Sequence, residues 1–164
     1  MADAAPCVLA FVPRAAPCVA GPAIVPYRPA HALALDLQPA QAALGRPGAA
    51  EAEGLAGPTA WTLLVDGRPM ACAGWQENWP GHLCGWALLA RDAGPWLGRL
   101  TRAVQRLVDH ADARRFEVLT PVAHHAASRW MRLLGFELEG LARRWGPIDI
   151  DVHIWARTRE RGKP

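Results

Sequence analysis

Tyrosine is nearly missing from this chain: there is one, Tyr27, against eight tryptophans in 164 residues. Chemistry that needs a phenol as proton donor therefore has a single candidate. Cysteine is scarce, with four residues at positions 7, 18, 72 and 84. They form no C-x-x-C pair and join no histidine at zinc spacing, so no metal is expected. Cys72 and Cys84 fall in apparent strands, where free thiols in a reducing cytosol act as small apolar side chains. A run of eighteen apolar residues is absent, and no membrane-spanning helix is expected. A large excess of one charge is absent too: the formal net charge is +3, too small to argue for nucleic acid. A secretory leader would want a basic start and an unbroken apolar stretch, which Pro6, Pro13 and Pro17 interrupt.

What is present is the composition of one soluble domain, 51% hydrophobic and 20% charged. Arginine greatly outnumbers lysine, and alanine and proline are abundant, as in a GC-rich bacterium or a phage of such a host. Residues 1–22 are Ala/Pro-rich and hold "AAPCV" twice, at 4–8 and 15–19. Two copies are too few for a solenoid, so the segment reads as a loosely ordered extension. A domain over 23–157 and a polar tail over 158–164 follow.

Within the domain, "AIVPYRP" reads as a strand ending at a proline. "AHALALDL" and "AQAALGRPGAAEAEGLAG" read as two short helical pieces, broken by Pro39, Gly45 and Pro47. "AWTLLVDGRPMACAGWQ" is a hairpin whose Asp66-Gly67 supplies the positive-φ pair of a two-residue turn. "HLCGWALLAR" is a strand after the Asn78–Gly81 turn. Gly94-Pro95 opens a helix with Leu97, Leu100, Val104, Leu107, Val108 and Ala111 on one face and Arg99, Arg102 and Arg106 opposite. "RRFEVLT" is a strand, and Thr120-Pro121 reads as the cap and first residue of the next helix. That helix, "HHAASRWMRLL", stops at Gly135, where only glycine takes a left-handed conformation cheaply, and Phe136 folds back on the last turn. "FELEGLARRWG" and "DIDVHIWAR" close the domain as strands, the second alternating Ile150, Val152 and Ile154 with Asp151, His153 and Trp155. The expected class is α/β of the α+β kind: a mixed, mostly antiparallel sheet of six to seven strands flanked by about four helices.

This order, with Leu134-Gly135-Phe136, Glu139-Gly140, Arg143 and the Asp66-Gly67 hairpin, resembles the GNAT superfamily, the Gcn5-related N-acetyltransferases, over residues 23–157. The resemblance implies an acyl-CoA N-acyltransferase fold with acetyl-CoA as co-substrate, in a cleft where the fourth and fifth strands splay apart. It implies an amine, on a small molecule or a protein, as acceptor. The family's diphosphate loop, Arg/Gln-x-x-Gly-x-Gly/Ala, aligns with Arg91 to Trp96; Arg91 and Gly94 match. Trp96 stands where a small residue is usual, Pro95 removes one N–H, and Asp92 adds a negative charge. Cofactor contacts are accordingly expected from Leu89, Ala90, Arg91, Gly94, Trp96, Gly98 and Arg99.

On the quoted helix His124 stands for the family's asparagine, Ala127 matches a small residue, and Met131 replaces a proton-donating tyrosine. Candidate catalytic groups are Glu77 and His82 near the turn before the fourth strand, and His124. Loop polar groups and histidines at helix starts also occur without any chemical role. Two readings stand: a cytoplasmic N-acetyltransferase, and a non-catalytic GNAT-fold protein of phage or prophage origin with an altered acetyl-CoA site. A homodimer or a phage-assembly partner belongs to these expectations.

Overall fold

Residues 21–159 are described by the computed structural model; the "AAPCV" repeat, with Cys7 and Cys18, and residues 160–164 lie outside them. The elements run β1 (Pro22–Pro26), α1 (Pro29–Leu33), α2 (Pro39–Ala42), α3 (Ala49–Gly54), β2 (Trp61–Val65), β3 (Arg68–Trp79), β4 (His82–Leu89), a 3₁₀ turn (Gly94–Trp96), α4 (Leu97–His110), β5 (Arg115–Pro121), α5 (His125–Leu133), β6 (Glu137–Trp145) and β7 (Ile150–Thr158). All seven strands form one sheet in the order β1-β2-β3-β4-β5-β7-β6. Only β4 and β5 pair in parallel; the other neighbours are antiparallel. This is the expected mixed α+β architecture. The amino-terminal helical region differs in detail, because the prolines and glycines that break it leave three short helices and not two.

Local chemistry explains the joints. Asp66 and Gly67 take φ of 48° and 79°, the left-handed pair that a tight hairpin turn requires. α4 begins just after Pro95 and buries Leu100, Val104 and Val108, while Leu107 stays exposed. α5 ends in a Schellman motif: Phe136 N–H donates to Met131 O at 3.0 Å and Gly135 N–H to Arg132 O at 3.1 Å, with Gly135 at φ 78°.

The expected helix start at Thr120-Pro121 is overturned. Both residues belong to β5, opposite His153 and Val152 of β7. The Thr120 hydroxyl accepts the Trp155 indole N–H at 2.8 Å, so it is not free to cap a helix. Proline at the end of a strand loses little, since its missing N–H is needed for no further rung. The cap position falls to His124.

The sheet carries two packed faces. On one, Thr62 and Cys72 are buried, and Thr62 Oγ1 lies 2.9 Å from His31 Nδ1 of α1. On the other, Trp75 meets Phe116 edge-on at 5.3 Å and stacks on Phe136 at 6.4 Å, beneath α4 and α5. Aromatic pairs at such separations stabilise by about 0.5–1.5 kcal/mol beyond their area.

Candidate active site

The parallel pair β4–β5 is short. Rungs join His82–Gly85 to Arg115–Val118 and stop there. Beyond them β4 stays with β3, and β5 stays with β7 through Leu119, Thr120 and Pro121. A gap therefore opens toward the carboxyl ends of both strands, where the loops into α4 and α5 also lie. Beneath the divergence, on the α4–α5 side, sits a small cleft, partly open to solvent. Its walls carry no charged side chain; Trp61, Trp75, Trp130, Met131 and Val118 dominate them. The indole N–H groups of Trp75 and Trp86 are buried with no acceptor among the described residues, whereas that of Trp130 donates to Thr101 Oγ1 at 2.8 Å. Buried indole donors are normally paired, so the Trp75 group presents unmet hydrogen-bonding capacity in the wall of an apolar site, while the Trp86 ring turns to the other face, edge-on to Tyr27 at 5.4 Å.

The loop from Ala90 to Trp96 turns tightly. Ala93 N–H donates to Ala90 O and Trp96 N–H to Ala93 O. Among the described residues, the N–H groups of Asp92 and Gly94 have no acceptor. A Cβ on Gly94 would meet nothing within 4 Å, so this peptide is open to close approach. The Asp92 carboxylate turns away and pairs with Arg68 at 3.3 Å, which takes its charge off the loop's amide face. Trp96 packs on the edge of the core and is not part of the cleft wall. Gly98 lies in the first turn of α4, within 3.8 Å (from a built Cβ) of the Arg102 guanidinium. Arg99, Arg102 and Arg106 make no ion pair among the described residues.

Arg91 behaves otherwise than the loop pattern suggests. Its guanidinium pairs with Asp36 at 3.1 Å, and its N–H donates to Asp36 O at 2.8 Å. That contact belongs to a larger one. The segment Asp36–Gln41 runs along the edge of β4 that β5 has left. Leu37 bridges Ala90, and Gln38 N–H donates to Leu89 O at 3.0 Å. The Gln41 side chain then completes the edge: Nε2 donates to Ala87 O at 2.6 Å, and Leu89 N–H donates to Oε1 at 2.8 Å. Of the expected cofactor contacts, Leu89 therefore has both backbone groups engaged, and Ala90 is buried with its N–H on Met70 O. Gly94, Gly98 and Arg99 remain exposed. Sequence reasoning missed Gln41. A helical reading gave it no role, and the only signal was Pro39, which breaks the helix and leaves residues 36–38 extended enough to pair.

The three candidate catalytic side chains are not gathered into one place. His82 opens β4 and lies opposite Arg115, whereas His124 follows Pro121, six residues further along β5. At strand rise the two levels are about 20 Å apart. His82 is 2% exposed, lies against the Trp79 ring at 4.0 Å, and its Nε2 is 3.5 Å from Glu117 Oε2. Glu77 is exposed and accepts Gly81 N–H at 3.0 Å, a turn-stabilising contact. His124 stands half-buried as the cap residue of α5, beyond the carboxyl end of β5. Burial, then the neighbouring His125, holds its pKa below the usual 6.5, so the ring is neutral and able to accept a proton at pH 7.

The only tyrosine is committed elsewhere. Tyr27 donates to Ala52 O at 2.8 Å on the opposite face of the sheet, and burial pushes its pKa up to about 12. Met131, on the cleft wall, carries no proton to give. Cys72 is buried and its pKa is raised to about 11 by desolvation; burial and Glu117 also raise that of Cys84. Neither is a thiolate nucleophile at neutral pH.

No family model and no curated protein matches this sequence. Solved structures do match. Ard1 from Thermoplasma volcanium superposes with a TM-score of 0.70 at 12% identity, covering 84% of this chain and 97% of its own. A GNAT-family acetyltransferase from Bacillus anthracis gives 0.64 at 9% identity, covering 84% and 95%. RimL, a ribosomal L7/L12 α-N-protein acetyltransferase solved with coenzyme A, gives 0.59 at 16% identity, covering 87% and 96%. The chain has the acyl-CoA N-acyltransferase fold of these proteins.

Proposed function

We propose that this protein is an N-acetyltransferase that takes an acetyl group from acetyl-CoA and delivers it to an amine. One observation carries the reading. β4 and β5 part after Gly85 and Val118 over an apolar cleft, and at the same end of the sheet two amide donors, Asp92 and Gly94, lack acceptors among the described residues. Free amides at the approach to a helix favour an anion such as a diphosphate. The residues present fit such a donor: Gly94 allows close approach, Asp92 is turned away, and Arg102 adds positive charge over the first turn of α4. The co-substrate supplies a thioester-activated acetyl group. The cleft excludes water from that group with indole and methionine surfaces. Neutral His124, beyond the carboxyl end of β5, takes the proton from the incoming amine. No tyrosine acid takes part, because Tyr27 is engaged on the other face.

A second reading, a non-catalytic protein of the same fold that acts through its surface, is favoured by one feature: Asp36–Gln41 already covers the edge of β4 beyond the gap. One titration decides between the two. Acetyl-CoA at a hundred times its dissociation constant should stabilise the fold by about 2.7 kcal/mol. An unchanged melting temperature at millimolar acetyl-CoA removes the enzyme reading. Release of free thiol in the presence of a panel of primary amines would then identify the acceptor class.

A further inference from the structure

Gln41 does what a neighbouring strand or an extended ligand would do. β4 residues alternate in the direction of their backbone groups: Ala90 N–H points at β3, where it meets Met70 O. Ala87 and Leu89 point the other way, into the space that β5 vacates. Leu89 O on that edge is taken by Gln38 N–H; the carbonyl of Ala87 and the N–H of Leu89 are the pair that one amide with its own N–H and C=O can satisfy together. The Gln41 carboxamide satisfies both, at 2.6 and 2.8 Å. It does so from α2, a helix of four residues that buries no side chain. The segment before it is anchored by buried Leu37, by the Leu37–Ala90 bridge and by Arg91 on Asp36, whereas the helix itself adds only partly buried Ala42 to the Gln41 amide. A strong local contact on a weakly packed element can be exchanged for another of the same chemistry at low cost.

We propose that Gln41 is the gate of the donor site: its carboxamide closes the β4 edge in the free protein, and an amide-bearing acyl donor enters by taking over Ala87 O and Leu89 N–H as Gln41 swings out. The inference rests on the acetyl-CoA reading and adds its regulation. Donor affinity is then set by a competition within the chain. The two hydrogen bonds that Gln41 loses are the ones the donor gains, so the wild-type protein binds more weakly than its open edge would. α2 moves with each binding event, which couples donor arrival to the Pro39–Ala42 face.

The test uses coenzyme A itself, so that no turnover intervenes. Calorimetric titration of the wild-type chain, Gln41→Ala and Gln41→Leu should show both variants binding more tightly, by about tenfold, the worth of one to two released hydrogen bonds. A merely structural role for Gln41 predicts the opposite sign, since a loosened edge binds no better. In parallel, the side-chain ¹⁵N–¹H₂ signals of Gln41 should move to solvent-like positions when the wild-type protein is saturated with coenzyme A. Equal or weaker binding by the variants, or unmoved Gln41 signals in the bound state, overturns the gate and leaves the donor reading standing. No binding by any of the three proteins overturns both.

Discussion

Gly85 sits where β4 leaves β5, and its missing side chain decides the shape of the cleft. A Cβ placed there would run into Cζ3 of the Trp75 ring and stand 2.8 Å from its Cε3. Real Cβ atoms do not approach that closely, so in Gly85→Ala the ring must move. It cannot move freely: Trp75 is 9% exposed and held between Phe116 and Phe136. Adding one methyl to such a packed site costs about 1–3 kcal/mol. For a domain of this size that is a fall of roughly 2–12 °C in melting temperature. The cleft that the indole lines offers room for it, so the donor site should shrink as well. Differential scanning calorimetry checks the first effect and coenzyme A titration the second. A melting temperature within one degree of wild type would refute the packing argument. A large fall with unchanged coenzyme A affinity would refute the placement of the donor in that cleft.

Gly94→Ala is the contrasting case. With no atom within 4 Å of the new Cβ, the melting temperature should hold or rise slightly, while coenzyme A binding weakens at least several-fold if a diphosphate approaches that peptide. Equal affinity would take Gly94 out of the site. Tyr27→Phe removes the donor to the buried Ala52 carbonyl and should cost about 1–3 kcal/mol in urea unfolding. Acetyl transfer per folded molecule should be unchanged, and a loss of turnover without loss of stability would restore Tyr27 as the acid. Stability should also depend on pH near neutrality. Burial lowers the pKa of both His31 and His124 below 6.5, so between their folded values and 6.5 the unfolded chain binds more protons. Their contribution is complete above about pH 6.5 and is lost as pH falls through the folded values. Urea midpoints that stay level from pH 7 to pH 5 would contradict this.

The succession of strands and helices along the chain was largely legible because it rests on local rules. Asp66-Gly67 demands a tight turn, the apolar spacing of α4 demands a helix, and Gly135 before Phe136 demands a helix end. Each is a property of a few neighbouring residues. Thr120-Pro121 misled for the same reason. The pair suits a helix start locally, but Trp155, 35 positions away, claims the threonine hydroxyl. The loop Arg91–Trp96 was likewise readable as a pattern and not as a shape. Only the fold turned Asp92 toward Arg68 and packed Trp96 on the edge of the core.

By itself, then, the order of residues settled most of the strands and the two long helices, and that a glycine-containing loop would lead from the fourth strand into a helix. Tertiary structure alone decided what faces what. It drew Arg91 to Asp36, sent Tyr27 to the far face, held His82 some 20 Å of strand from His124, and set Gln41 on the bare edge of β4. The physical reason is range: turns and caps are satisfied within a few residues, whereas a strand edge or a buried donor takes whichever partner the folded chain brings to it.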